Sequence, residues 1–479
     1  MNSIGIINII FLFYKALCIQ NIKVTYITTY KKIKEVKFMD LKARTFRGGI
    51  HPPHLKKSTE KLAIEKAKEP EMVIIPMQQH IGAPCEPIVK VGDEVKVGQK
   101  IGEANAFVSA PIHSSVAGTV KKIQQIDSPT GKSVAIFIES DGSDELHESI
   151  KPKGSIESLS KEEIVKIIKE AGITGMGGAG FPTHVKLSPP PEKKIDTVIL
   201  NGAECEPYLT ADHRLMLEKP EMVVKGLKAI MKSVDVKNGY IGIENNKPDA
   251  IETMKKATSN EANINIVPLE TKYPQGDEKR LIYAATKREV PSGGLPMDVG
   301  VVVNNVGTAK AIADAIETGM PLIERVTTVT GSAIKSPKNL ITKIGTPFNE
   351  IIEQCGGYKE KPGKVIMGGP MMGLAQFSVE VPTIKGTSGI LVLNEKDAKL
   401  PDPEPCIRCG KCVDICPVNL QPLFISKLSL KKMYEEAEEY SPLDCIECGS
   451  CSFICPSKRP LLQSIRVAKR EIVSKRRKS

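Results

Sequence analysis

Between residues 160 and 325 the chain alternates two hydrophobic periods. The stretch KEEIVKIIKEAG places Ile164, Val165, Ile167, Ile168 and Ala171 on one face of a helix. Short apolar runs follow, DTVILN, GYIGIEN, INIVPLE and VGVVVNN, with helical stretches between them. Apolar runs of this length predict buried strands, and strands alternating with helices predict a largely parallel α/β sheet. SPPPEKK predicts a loop before the first of those strands. Upstream, residues 72–140 break Val/Ile segments with Gly-Asp and Gly-Gln, a pattern for small antiparallel strands. Downstream, residues 326–375 predict two strands, a helix ending at Gly356-Gly357 and a further strand, a unit of β-grasp type. The Pro-rich linker EKDAKLPDPEP then leads into a cysteine-rich segment.

One apolar run stands apart, IGIINIIFLFYKALCI at residues 4–19. It is shorter than the roughly 20 residues of a membrane span, and Lys15 interrupts it. It also lacks the basic start and small-residue cleavage site of a signal peptide. Ordinary globular sequence begins at Met39, so residues 1–38 are expected to be an extension from an upstream start, with a membrane anchor as the alternative. The net charge of +11 is concentrated at the ends, in YKKIKEVKF and KREIVSKRRKS, as solvated tails or a contact for an acidic surface. Aromatic residues are 4% of the chain, too few for stacking platforms, so nucleic acid is not an expected partner.

Of 12 cysteines, eight fall in two copies of C-x2-C-x2-C-x3-C-P: Cys406, Cys409, Cys412 and Cys416, then Cys445, Cys448, Cys451 and Cys455. Structural zinc pairs two C-x2-C knuckles and needs no third cysteine followed by Cys-Pro. Disulfides suit small secreted domains. The spacing therefore predicts two [4Fe–4S] clusters in a reducing, cytosol-facing compartment. In the two-cluster ferredoxin arrangement the fourth cysteine of each run ligates the other cluster. Cluster one should take Cys406, Cys409, Cys412 and Cys455, and cluster two Cys445, Cys448, Cys451 and Cys416.

GITGMGGAGFPTHVK contains a G-x-G-x-x-G run, but a helix rather than a strand precedes it, which weakens an ordinary Rossmann reading. Four glycines in six residues still let backbone approach a phosphate or flat ring. This loop, with NGAECEPYLTADHR, PQGDEKRLIYAATKREVPSGG and VVVNNVGTAKAI, resembles the NADH-binding flavoprotein subunit of respiratory complex I. The opening FRGGIHPP, residues 72–140 (similar to the barrel-sandwich domain of biotinyl and lipoyl carriers) and the doubled cysteine motif narrow the resemblance. They point to the family of C subunits of Rnf ion-translocating oxidoreductase complexes. The carriers' modifiable lysine is missing from the corresponding tip, EANAF, so this domain is expected to be scaffold.

The resemblance implies FMN contacts at Gly175, Gly177, Gly178, Lys186, Asn201, Glu204, Asn304 and Asn305, with Phe181 stacking. It implies a nicotinamide site lined by Glu206, Asp277 and Glu278, with Glu206 and Glu278 positioning NAD(H) for hydride transfer. The sequence departs from the complex I pattern at Met176 and Ala203, where that family has Arg and Asp. The expected fold is multidomain α+β, in this order: an extension (1–38), an N-terminal region with the barrel-sandwich domain (39–150), a Rossmann-like α/β FMN/NADH domain (151–325), a β-grasp domain and return segment (326–395), an α-helical ferredoxin-like domain with two [4Fe–4S] clusters (396–465) and a basic tail (466–479). The implied function is a peripheral, cytoplasmic-side subunit of a cell-membrane complex coupling electron transfer between ferredoxin and NAD to ion transport. Its partners would be integral membrane subunits and a ferredoxin-like subunit. The alternatives are a cobalamin-reductase-like protein and a relay module without NADH activity.

Overall fold

Ser160 starts the first long helix, Lys161–Glu170, with a reciprocal cap: its hydroxyl accepts from the Glu163 amide at 3.2 Å, and the Glu163 carboxylate accepts from the Ser160 amide at 2.7 Å. Ile164 and Ile168, one turn apart, are buried beneath it. The structure, a computed structural model, describes residues 43–178 and 180–478. The expectations for residues 1–38 lie outside the described residues.

The four apolar runs form one parallel sheet in the order Ile264–Leu269, Asn238–Glu244, Thr197–Gly202, Val301–Asn305. Helices cover it on both faces, with Val223, Leu227 and Ile312 packed on one side and Leu281 and Ile282 on the other. Such a sheet presents loops at the carboxyl ends of its strands, where ligands of open α/β sheets bind.

The barrel-sandwich part is antiparallel throughout. One sheet runs Met72–Pro76, Gly131–Ser140, Gly118–Ser128, Glu94–Val95, and the second runs Glu86–Pro87, Lys100–Glu103, Ile112–His113. Val73, Ile75, Ile101, Ile112, Ile136 and Ile138 fill the space between them. The β-grasp sheet is larger than the sequence pattern indicates. Strands Glu324–Thr330, Lys338–Lys343 and Pro362–Met367 are joined by Gly389–Asn394, Leu374–Gln376 and Ile64–Lys66 from the N-terminal region. The last is three residues long with two of them charged, so it carries no hydrophobic signal of its own.

Each cysteine repeat contains one short helix, Lys411–Asp414 with Cys412 and Ser450–Ile454 with Cys451, while its other cysteines lie in the flanking loops; these helices pack with Pro422–Leu430 and the C-terminal helix Leu461–Lys478. Among the described residues no helix is long and apolar enough to cross a membrane.

Candidate functional site

The glycine loop closes on itself at the carboxyl ends of the parallel strands. The Gly175 amide donates to Phe181 O at 2.9 Å, and the Thr183 amide to Ile173 O at 3.0 Å. Gly177 lies against Asn305, where a Cβ would sit 2.7 Å from Nδ2, so a larger residue would push the Asn305 side chain out of its place. A Cβ at Gly178 would meet nothing within 4 Å, and this part of the loop faces open space. Asn305 caps helix Val306–Glu317 by accepting from the Gly307 amide at 2.7 Å, and it donates to Asp212 Oδ2 at 2.7 Å.

From Asn305 the contacts run in a ring. Asn305 stands beside Asn201 in the sheet register, and Asn201 donates to Gly276 O at 2.7 Å. Asp277 follows; it caps helix Glu278–Thr286 through the Arg280 amide, and burial pushes its carboxyl up. Lys186 closes the ring, donating to Glu278 Oε1 and to Val303 O, both at 2.9 Å. The structure thus gathers Gly175, Gly177, Gly178, Phe181, Lys186, Asn201, Asp277, Glu278, Asn304 and Asn305 around one rim.

Glu204 and Glu206 serve first as structural ties. Glu204 accepts from the Asp212 and His213 amides at 2.7 and 3.2 Å, at the start of helix Ala211–Glu218. Glu206 accepts from the Met371 and Met372 amides at 3.0 and 2.8 Å, so its carboxylate sits in the seam with the 368–373 loop of the β-grasp domain. Burial pushes that carboxyl up to about 7, although the two amides and Lys56 oppose the shift.

The loop carrying these glutamates is strained, with Glu204 and Tyr208 at φ of 45° and 71°. Two buried lysines hold it. Lys56 donates to Glu204 O at 2.8 Å, to Glu206 O at 2.9 Å and to Leu209 O. Lys247 donates to Ala203 O at 2.7 Å and pairs with Glu244 at 3.3 Å. Burial pulls the Lys56 ammonium down, opposed by the Glu204 charge. No local pattern separates a buried lysine from a surface one; only the acidic E-C-E beside a strand end hints that cations are needed.

The cysteines divide into two sets. Burial pushes the Cys451 thiol up, and neighbouring Cys445, Cys448 and Cys416 push it the same way. Cys412 is raised by burial and then by Cys455 and Cys406. Cys416 therefore keeps company with the second repeat, and Cys455 with the first. Among the described residues no His, Cys, Asp or Glu group is gathered for a single metal ion. A cluster needs thiolates spread around a larger body, and two such sets fit that requirement. The rim passes a comparable test. Asn304 Nδ2 is buried without a protein partner, an orphaned donor that a bound polar group would satisfy.

Both repeats touch the flank of the rim. Tyr273 Oη donates to Cys448 O of the second repeat at 2.8 Å, and Arg280 Nη1 to Pro417 O, next to Cys416 of the first, at 2.7 Å. Cys205, whose sulfur accepts from the Gly276 amide at 3.3 Å, packs in the same small cluster as Tyr273 and Cys448.

Family models match along the chain in order: the RnfC barrel sandwich hybrid domain at 44–143, the Nuo51 FMN-binding domain at 168–314, the SLBB domain at 326–375 and a 4Fe-4S dicluster domain at 398–456. The chain is 56% identical to the C subunit of the Na(+)-translocating ferredoxin:NAD(+) oxidoreductase complex of Acetobacterium woodii, over 92% of this chain and 100% of that one. It is 55% identical to the proton-translocating counterpart of Clostridium ljungdahlii, over 89% and 94%. Identity to the C subunit of the ion-translocating oxidoreductase complex of Rhodobacter capsulatus is 43%, over 80% and 75%.

Proposed function

The chain belongs to the family of C subunits of ion-translocating ferredoxin:NAD(+) oxidoreductase complexes, and from that premise we propose that it is the peripheral, cytoplasmic-side subunit that exchanges electrons with NAD(H). The observation that supports this reading best is the Tyr273–Cys448 hydrogen bond beside the rim, because with FMN and the clusters bound it would bring a two-electron site next to a one-electron wire. FMN, when bound, supplies the change between hydride exchange and single-electron transfer.

The chain's own residues orient. Gly175, Gly177 and Gly178 keep side chains out of the loop, while Lys186, Asn201, Asn304 and Asn305 would hold the polar edges of FMN and Phe181 would stack. Glu278 and Asp277 would flank NAD(H). Glu206 acts through the 368–373 loop, and Glu204 through the start of helix Ala211–Glu218. Cys445, Cys448, Cys451 and Cys416 would hold one cluster beside the rim and Cys406, Cys409, Cys412 and Cys455 a second farther out, and together they would supply one-electron transfer toward a ferredoxin-like subunit. Near-equal identity to relatives named for sodium and for proton translocation suits a subunit that handles electrons and leaves the ion to integral membrane partners.

Anaerobic titration of the purified chain with NADH tests the reading: flavin absorbance should bleach first and cluster absorbance next. Lys186→Ala should lower flavin content and leave iron content unchanged. Full flavin occupancy in that variant, with no bleaching in the wild type, would overturn it.

A further inference from the structure

The motif FRGGIHPPHLKK matches within the barrel-sandwich model, yet it packs elsewhere. Arg44 pairs with the edge of the parallel sheet, its amide donating to Pro268 O and its carbonyl accepting from the Glu270 amide, both at 2.9 Å. Phe46 is buried under Lys272, whose ammonium lies 4.6 Å from the ring centroid and donates to Phe46 O at 2.8 Å. Ile50 and Tyr273 exchange two backbone hydrogen bonds of 2.8 and 2.9 Å. Between these anchors the Gly49 amide donates to Ile415 O at 2.8 Å, next to the ligand Cys416. The segment then reaches the strained loop, where His54 O accepts from the Tyr208 amide at 2.9 Å and Lys56 gathers its three carbonyls.

The strap thus runs between the Tyr273 backbone, which flanks the rim, and Ile415–Cys416, alongside the direct Tyr273–Cys448 contact, and two glycines occupy its tightest point. Gly48 and Gly49 have φ of 80° and 79°, a conformation that L side chains rarely adopt. A Cβ on Gly48 would lie 2.9 Å from both Cys416 O and Ile415 O; one on Gly49 would lie 2.7 Å from Tyr273 O. Gly48 therefore faces the cluster side and Gly49 the rim side. These neighbours are backbone atoms, so neither side can yield by turning a side chain.

We infer that the strap is a spacer, with Gly48 and Gly49 as positioning residues that set the separation electrons cross between the rim and cluster two. Any side chain there widens the gap, and electron transfer slows steeply with separation. The inference rests on the flavin-and-cluster reading above.

Gly48→Ala should leave flavin content, iron content and NADH-driven flavin bleaching at wild-type levels while slowing reduction of the second cluster severalfold. Amide exchange of residues 48–50 and 271–275, measured in the same protein without NADH, should rise. Gly92→Ala is the control, since Gly92 has φ of 94° and a Cβ there would meet nothing within 4 Å. If Gly48→Ala loses its clusters, Gly49→Ala gives the same reading from the rim side. Cluster reduction in the strap variant as fast as in Gly92→Ala, with unchanged exchange, overturns the spacer. Wild-type protein whose clusters NADH never reduces overturns the underlying reading instead.

Discussion

Positions 39 apart in the two cysteine repeats hold the same backbone: Arg408 and Glu447 at φ of 56° and 58°, Gly410 and Gly449 both at 75°, Asn419 and Lys458 at 56° and 49°. Their surroundings differ. Cys406 and Cys409 of the first repeat are exposed, with Ile407 between them 67% exposed. Cys448 and Cys451 of the second are buried; Tyr273 bonds to the Cys448 carbonyl, Met371 backs Gly449, and Lys469 donates to Cys445 O at 2.8 Å. Motif spacing sets what each repeat can ligate, and the environment sets its place in the wire. Burial and hydrogen bonds near the sulfurs are levers that tune cluster potential, and Cys448 and Cys451 are buried where Cys406 and Cys409 are exposed. On the proposed reading, the exposed first repeat would be the end open to a redox partner.

The crossing of ligands offers the largest test of this contrast. Cys416→Ser should remove the cluster of the second repeat although Cys416 lies in the first, and Cys455→Ser should do the converse. Each variant should lose about half of the bound iron, read by metal analysis, with the surviving cluster identified by EPR. Loss of the first-repeat cluster in Cys416→Ser would contradict the division of thiols into two sets.

A smaller effect is expected from Tyr273→Phe, which leaves the buried Cys448 carbonyl without its donor. The cost is about 1–3 kcal/mol, visible as a lower urea midpoint. Reduction of the second cluster by NADH should slow while flavin content holds. An unchanged midpoint would mean that the seam contributes nothing.

Smallest, and visible only through pH, is the seam glutamate. Glu206 is raised to about 7 in the fold against an ordinary value of 4.5, so the folded state holds a proton that the unfolded chain has lost between those values. Its stabilising contribution is complete below about pH 4.5 and is lost as pH rises through about 7. Glu206→Gln cannot ionise, so its urea midpoint should gain on the wild type as pH rises from 5.5 to 7.5. A constant difference across that range would remove Glu206 from the account. Asp212, also pushed up to about 7 by burial and by Glu204, is unchanged in both proteins and cancels.

The sequence shows these features unevenly. The parallel strands are legible because strands covered on both faces read as unbroken apolar runs, as in VVVNN. The cysteine positions are legible because cluster ligation demands fixed spacing, and the glycine loop because a Cβ there would push the Asn305 side chain out of its place. The seam is not legible. Tyr273 and Cys448 are 175 residues apart, Glu206 and Met371 165 apart, and each looks ordinary where it stands. Glu206, expected at the nicotinamide rim, has both oxygens taken by the 368–373 loop, a contact that needs the tertiary fold to appear. Lys56 and Lys247 resemble surface lysines until the loop they hold is seen.

The order of the wire is the central claim, and freeze-quench EPR after mixing with NADH tests it most directly. In Cys409→Ser, which keeps only the second-repeat cluster, that cluster should be reduced at the wild-type rate. In Cys448→Ser, which keeps only the first-repeat cluster, reduction should be slowed severely. Wild-type reduction of the first-repeat cluster in Cys448→Ser would contradict the account.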